Sequence, residues 1–216
     1  MPPDGGSRER GRFRRRTQHS HTPTTNVVPG LATTALSERQ LRAIGSLIAR
    51  AFANPDTAEE DRIRRYSELG DNPGHEAFVV LEGDRALAHA LLFPRDIQTP
   101  AGPLRIAELA AVCSHPDHRG RGRGLGRDVV RAAFKRIDDG AYPVSLFQTG
   151  VPDFYARLGA RTVENKFINS RWQPPREGES PGHGTREAPW WNPHVMIYPA
   201  TYNWPEGEVD LLGPGF

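Results

Sequence analysis

The sequence predicts an α/β domain in which helices and strands interleave, and three observations carry that prediction. First, an apolar run from Leu109 to Val112 leads through a loop of alternating Gly and Arg into a helical pattern. There Leu125, Val129, Val130, Ala133, Phe134 and Ile137 recur on one face. Second, two strand-like runs are joined by Glu82-Gly83-Asp84, a hairpin signal, with helical segments ahead of them. Third, the central helix is followed by a short strand, a short helix and further strands.

Taken in order, Met1 to about Thr25 is rich in Arg, Gly, Ser, Thr and Pro and holds almost no bulky apolar residue. Such a stretch cannot bury enough surface to offset its ordering entropy, so residues 1–25 read as a disordered tail. Two uses fit it: an arm for nucleic acid, or a solubilising extension. Asn26 to Leu36 holds a first strand, and Ser37-Glu-Arg-Gln40 is a capping box opening a helix whose apolar face runs from Leu41 to Phe52. Asn54-Pro55 stops that helix, and a more charged one spans about Thr57 to Leu69. Asp71 to Gly74 is a turn. Strands follow at Ala77 to Leu81, Arg85 to Phe93 and Leu104 to Val112. The central helix carries Lys135 and Arg136 in its last turn and Gly140 just beyond. Then come a strand at Val144 to Phe147, a helix at about Pro152 to Leu158, a strand at about Arg161 to Phe167 and a last strand at Val195 to Tyr198.

The glycine-rich loop before the central helix is suited to phosphate. Glycine lets the backbone approach a ligand closely, and the unpaired N–H groups and dipole of a helix start attract an anion. Arg119, Arg121 and Arg123 add positive charge. The nucleoside-triphosphate loop is excluded because no Gly-Lys-Ser/Thr follows. The dinucleotide fingerprint is excluded because Gly120, Gly122, Gly124 and Gly126 alternate strictly.

The loop resembles the coenzyme A pyrophosphate loop of the GCN5-related N-acetyltransferases (GNAT), whose pattern is Arg/Gln-x-x-Gly-x-Gly/Ala. Two registers match: Arg119 to Gly124, which keeps the family's distance from Pro116, and Arg121 to Gly126, which puts Leu125 at the helix's first apolar position. The loop contacts are therefore assigned as a group: Arg119, Gly120, Arg121, Gly122, Arg123, Gly124, Leu125 and Gly126. Phe154-Tyr-Ala-Arg-Leu-Gly159 resembles the family's Phe-Tyr-x-x-x-Gly helix. The resemblance covers about Leu31 to Phe167 and the last strand. It implies a single GNAT domain over residues 26–216, with a mixed, mostly antiparallel sheet and helices on both faces. Two parts depart from the pattern: an inserted loop at about 171–194, dense in Pro, Gly and Trp, and an irregular extension at about 199–216. The extension is apolar and aromatic enough to be expected to pack.

The resemblance implies an acetyl-CoA-dependent N-acetyltransferase acting on a small-molecule or peptide amine by direct attack in a ternary complex. Acetyl transfer needs a neutral amine, a donor for the developing oxyanion, a proton for the leaving thiolate and fixed geometry. Glu108 is the candidate base, because the family often sets its catalytic acid on this strand and burial moves a carboxylate toward useful basicity. The other reading of Glu108 is a solvated or Arg-paired carboxylate, with Arg105 nearby. Tyr155 is the candidate acid, or else a core aromatic. Val112, Cys113 and Ser114 end the strand that the family splays from its neighbour, which frees their backbone for the acetyl carbonyl and pantetheine arm. Gln148 stands seven residues before Tyr155, where the family commonly has a coenzyme-contacting Asn.

Other residues bound the reading. Cys113 is the one cysteine, so an internal disulfide framework is excluded, which fits a reducing cytoplasm. It is either a small buried hydrophobe or the nucleophile of a ping-pong enzyme. His115, His118, His183 and His194 lack a known metal spacing, and no metal is expected. No apolar run approaches membrane-spanning length and no apolar signal segment opens the chain, so neither membrane nor secretion is expected. The net charge of +2 divides into +4 over Met1 to His21 and −2 over the remainder, so any nucleic-acid contact belongs to the tail. Trp172, Trp190, Trp191 and Trp204 either line an acceptor pocket or form a core. The extended tail after the last strand resembles that of aminoglycoside 2′-N-acetyltransferases, whose pattern lacks the tryptophan-bearing insert. Glu206, Glu208 and Asp210 in it are placed to attract a cationic amine, or are simply solvated. Two other classes stay open: a non-catalytic acyl-CoA-binding module and a nucleic-acid-associated protein acting through its tail. Monomer and homodimer are equally open.

Overall fold

The structure, a computed structural model, describes residues 26–53, 58–69, 72, 74–118, 123–176 and 184–215. The N-terminal tail, the Asn54-Pro55 stop and the loop residues Arg119 to Gly122 lie outside the described residues.

The chain runs β1 (Asn26–Ala32), α1 (Glu38–Ala51), α2 (Glu59–Leu69), β2 (Glu76–Glu82), β3 (Arg85–Thr99), β4 (Gly102–Ser114), α3 (Leu125–Asp138), β5 (Ser145–Thr149), α4 (Pro152–Ala156), β6 (Arg161–Thr162), β7 (Phe167–Ile168), β8 (His194–Tyr198) and β9 (Val209–Asp210). The sheet order is β1-β2-β3-β4-β5-β8-β6, with β9 joining the far end of β3 to β7. The pairs are antiparallel except β4 with β5 and β7 with β9. This is the mixed, mostly antiparallel sheet that the family resemblance implies.

Local signals account for the main helices. At α1 the Ser37 hydroxyl accepts from the Gln40 backbone N–H, and the Gln40 side chain accepts from the Ser37 N–H at 2.9 Å. This satisfies two donors that a helix start leaves orphaned. All six apolar positions read for α3 are buried. The two helices α1 and α2 touch closely: a Cβ added at Gly45 would lie 2.8 Å from the Ile63 Cα.

Strand residues alternate between faces, and paired residues share a face. One face of the sheet holds Phe78, Ala90, Leu92, Ala107, Leu109 and Phe147 and is covered by α3 and Tyr155 of α4. The other face is covered in two parts. Over Ala77, Val79 and Cys113 lie α1 and α2. Over Ile97, Ile106, Leu146, Val195 and Ile197 lie the C-terminal extension, through Trp204, Val209 and Leu211, and Trp190 of the insert. Helices therefore flank both faces, and the extension packs as expected.

Two strand assignments need correction. Strand β3 does not stop at Phe93 but continues through Pro94 to Thr99. Its ladder to β2 ends at Leu92, so Pro94 meets a sheet edge, where a missing N–H is tolerated. The single strand read at Arg161 to Phe167 is two short ones, β6 on β8 and β7 on β9. Asn165 accounts for the break. Its amide donates to the carbonyls of Pro205 and Gly207 and accepts from the Trp204 indole at 2.7 Å, which draws the chain off β8 onto the extension.

Candidate active site

The β4–β5 pairing involves only Ala107 with Ser145 and Glu108 with Leu146. Beyond Glu108 the strands run on to Ser114 and Thr149 without pairing among the described residues, so the sheet opens into a V. On its other side β4 carries a bulge: Leu91 pairs with Ala110 and His89 with Cys113, so Ala111 and Val112 stand opposite the single residue Ala90. Ala111 takes φ 48, unusual for a residue with a side chain. Val112, Cys113 and Ser114 thus form one arm of the V, with Cys113 buried on the α1–α2 side.

The N-terminus of α3 lies just past this arm. Gly124 is the N-cap in the left-handed region (φ 68, ψ 13), and among the described residues no side-chain cap hydrogen bond is made there. An N-cap without a side chain leaves first-turn N–H groups available, which is the local condition for an anion site. Leu125 is buried beneath, and a Cβ at Gly126 would meet nothing within 4 Å. Arg123 is exposed, with its guanidinium 3.7 Å from Glu82 and 3.3 Å from His118 Nδ1.

Glu108 sits at the apex of the V and is wholly buried. Its partner is Arg95, whose Nη1 donates to Oε2 at 2.5 Å, and not Arg105, which pairs with Asp96 at 3.0 Å. Arg105 and Glu108 are an odd number of residues apart on one strand, so they face opposite ways. Arg95 lies two residues from Phe93, the residue paired with Glu108, and shares its face. Arg95 also donates from Nε to the Leu211 carbonyl at 2.9 Å and from Nη1 to that of Pro214 at 2.6 Å. One guanidinium therefore ties the apex carboxylate to the C-terminal extension. Sequence reasoning missed Arg95 because it ended β3 at Phe93, two residues short of it.

Tyr155 approaches from the α3 side. Its ring packs 4.7 Å from Phe147 and 4.9 Å from Phe154. Burial, with the nearby Cys113 thiol second, pushes the phenol well above its ordinary range, so it holds its proton. Gln148 is occupied differently from the expectation: its Oε1 accepts from the backbone N–H groups of Trp191 (3.0 Å) and Asn192 (2.8 Å). It pins the insert beside the open end of β5, and its buried Nε2 has no partner among the described residues.

The tryptophans divide. Trp190 meets Phe167 edge to face at 5.7 Å, and Trp204 is buried in the same cluster. Trp190 also lines a cavity of about 420 Å³ between Thr162–Phe167 and the insert, with Glu164, Asn165, Glu187 and His194 around it. Trp191 is 48% exposed. Among the described residues no three His, Cys, Asp or Glu side chains gather as a metal site would require. No described helix is long and apolar enough to cross a membrane.

Known proteins match this arrangement. A solved structure described as a GNAT family N-acetyltransferase, YhbS from Escherichia coli in complex with CoA, superposes with a TM-score of 0.57 at 15% identity, covering 89% of this chain and 93% of that one. A GCN5-related N-acetyltransferase from Kribbella flavida gives 0.52 at 24% identity, covering 67% of this chain and 35% of that one. A probable N-acyltransferase from Enterococcus faecalis gives 0.52 at 16%, covering 64% and 33%. The chain thus spans about a third of the length of the Kribbella and Enterococcus proteins. A search of curated proteins found no match. The sequence profile described as "Acetyltransferase (GNAT) domain" matches residues 33–163, more than half of the chain. With the opened β4–β5 pair and the glycine-capped α3 behind that match, the chain belongs to the GNAT acetyltransferase family.

Proposed function

We propose that the chain is an acetyl-CoA-dependent N-acetyltransferase that passes the acetyl group directly to an amine in a ternary complex. The observation that carries this reading is the pairing of two groups across the V. A buried carboxylate, Glu108, stands at its apex on the α1–α2 face, and a buried, protonated phenol, Tyr155, stands on the α3 face. A thioester lying in the opening has the carboxylate on one side and the phenol on the other.

In this reading the pyrophosphate rests on the loop and the first turn of α3, where Gly124 allows close approach. The pantetheine arm and acetyl carbonyl follow the backbone of Val112, Cys113 and Ser114, which supplies hydrogen-bond donors to the carbonyl as it becomes an oxyanion. Gln148 Nε2, a buried donor without a partner among the described residues, supplements these contacts. The neutral amine nitrogen attacks the thioester carbon. Glu108 takes the ammonium proton, directly or through a water. The C–S bond breaks, and Tyr155 gives its proton to the departing thiolate. Holding both reactants in one geometry supplies much of the remaining rate.

The acceptor in this reading is a small primary amine or a peptide amine. It approaches between α1–α2 and the extension, where Phe93, Arg95 and Glu108 share a face. A cytoplasmic setting belongs to the same proposal, supported by the buried, non-disulfide Cys113.

The test is a screen of amines with detection of released thiol, followed by two variants. Glu108→Gln keeps size and hydrogen-bonding capacity and is expected to lower kcat by on the order of 10²-fold while CoA affinity stays near normal. Tyr155→Phe keeps the ring packing and is expected to lower kcat as well. A double variant that retains wild-type turnover would overturn both catalytic assignments, whereas a wild-type protein that binds CoA yet releases no thiol with any amine would reduce the site to a binding module.

A further inference from the structure

Outside the proposed chemistry, a line of buried polar groups runs beneath the β4 bulge. His89 on β3 is 0% exposed and stands opposite Cys113. Its Nδ1 lies 2.9 Å from the Ala111 carbonyl oxygen, and its Nε2 lies 2.7 Å from the hydroxyl of Tyr66 on α2. The Tyr66 and His89 rings meet edge to face at 5.2 Å. Tyr66 is itself only 3% exposed.

Hydrogen-bonding capacity fixes the arrangement. A carbonyl can only accept, so the Nδ1 proton donates to Ala111. The neutral ring then leaves Nε2 as an acceptor, and the Tyr66 hydroxyl must donate to it. Burial pushes His89 down to about 4 and Tyr66 well above its ordinary range, which keeps both in these forms. A buried imidazole is costly unless both nitrogens are satisfied, and here both are. The partner chosen is informative. Ala111 is the bulge residue at φ 48, a conformation that persists only when its surroundings impose it. Its carbonyl has been drawn toward a side chain of the neighbouring strand, and the next two residues, Val112 and Cys113, form the arm of the V.

We infer that Tyr66 and His89 are positioning residues for acyl transfer: by holding the Ala111 carbonyl they set the β4 bulge, and with it the direction in which the Val112 and Cys113 backbone faces the thioester. The inference rests on the proposal that this arm holds the acyl-pantetheine. It assigns α2, through Tyr66, a part in ordering the donor site that lies across the sheet from α3.

Three variants test it. His89→Leu removes both hydrogen bonds at similar volume. His89→Asn retains an amide donor near the position of Nδ1. Tyr66→Phe deletes only the hydroxyl. The expected result is a tenfold or greater fall in kcat for His89→Leu with the CoA Kd changed less than threefold, because the pyrophosphate is held on α3. His89→Asn is expected to recover to within threefold of wild-type kcat even where its melting temperature falls as far as that of the leucine variant. Tyr66→Phe, which keeps the packing and folds readily, is expected to lower kcat several-fold. In ¹⁵N-labelled protein the Val112 and Cys113 amide resonances are expected to shift in His89→Leu and Tyr66→Phe and to return toward wild type in His89→Asn. Wild-type kcat in folded His89→Leu, or an asparagine variant as slow as the leucine one, overturns the inference, as do unmoved resonances in Tyr66→Phe. Should no amine release thiol from the wild-type mixture, the activity reading fails, while the amide shifts still decide whether the pair positions the bulge.

Discussion

Replacing Arg95 by Met tests the link between Glu108 and the C-terminal extension. The Arg95 side chain is 10% exposed and that of Glu108 0% exposed, so the pair is shielded from water. Removing the guanidinium takes its ion-pair partner from a buried carboxylate, and breaking such a pair from one side costs about 3–5 kcal/mol. In a domain of this size, 1 kcal/mol corresponds to roughly 2–4 °C, so the melting temperature is expected to fall by roughly 6–20 °C. The carbonyls of Leu211 and Pro214 lose their donor in the same variant. Glu108→Gln should cost only about 1–2 kcal/mol, because an amide oxygen still accepts from Arg95. The double variant Arg95→Met/Glu108→Gln should then be more stable than Arg95→Met alone, since no buried charge is left without its ion-pair partner. Urea unfolding followed by tryptophan emission is the assay, because Trp190 and Trp204 lie in the cluster beneath the extension. Additive losses in the double variant, or an Arg95→Met variant within about 1 kcal/mol of wild type, would refute the coupling.

Three further outcomes are expected. Gly124→Val forces a β-branched residue into the left-handed region at the α3 N-cap, a strain of about 1–2 kcal/mol, and should weaken acetyl-CoA binding roughly tenfold by calorimetric titration. Unchanged affinity would remove the phosphate-loop assignment. Cys113→Ala should leave kcat within about threefold if attack is direct, whereas a dead Cys113→Ala beside an active Glu108→Gln would replace direct attack with an acetyl-cysteine route. The third concerns pH. His89 is held neutral down to about 4, against 6.5 when unfolded. Its contribution is intact above pH 6.5 and is lost as pH falls toward 4, because the unfolded chain takes up a proton that the native chain refuses. The loss is roughly 3 kcal/mol, and melting curves of His89→Leu should be flatter than wild type across that window by this amount.

Much of this architecture is legible from pattern, and the misses have physical causes. The α3 stripe and the Ser37–Gln40 box are local signals, decided within four residues, and the structure reproduces both. The expected opening of the sheet is present as well, where the β4–β5 pairing stops at Glu108. That expectation came from the resemblance, since nothing in Leu109 to Val112 announces a divergence. The buried partners of the site were not legible. Arg95 lies beyond a proline that reads as a strand stop, and its neighbour across the strand depends on register. The break at Asn165 depends on carbonyls about 40 residues away. His89 sits in an apolar run as a lone polar residue, and only its distance to Ala111 and Tyr66 gives it a role. The choice between Arg105 and another partner for Glu108 was open to pattern reasoning, because strand parity already separates residues 105 and 108.

The close approach of Gly45 to Ile63 has a bearing on which sequences this scaffold can sample. Ile63 is one helical turn before Tyr66, so the distance between α1 and α2 also fixes how far the Tyr66 hydroxyl stands from the sheet. A methyl group at position 45 would press on backbone, not on a yielding side-chain tip, and α2 would have to move by some tenths of an ångström. A hydrogen bond of 2.7 Å at the next turn leaves little room for that displacement. Position 45 touches neither coenzyme nor acceptor in the proposed site, yet if Tyr66 positions the bulge, drift there reaches turnover through rigid geometry alone. Relief has to come from a second change along the α1–α2 seam, so the seam accepts substitutions in compensating sets where an exposed helix face would accept them singly.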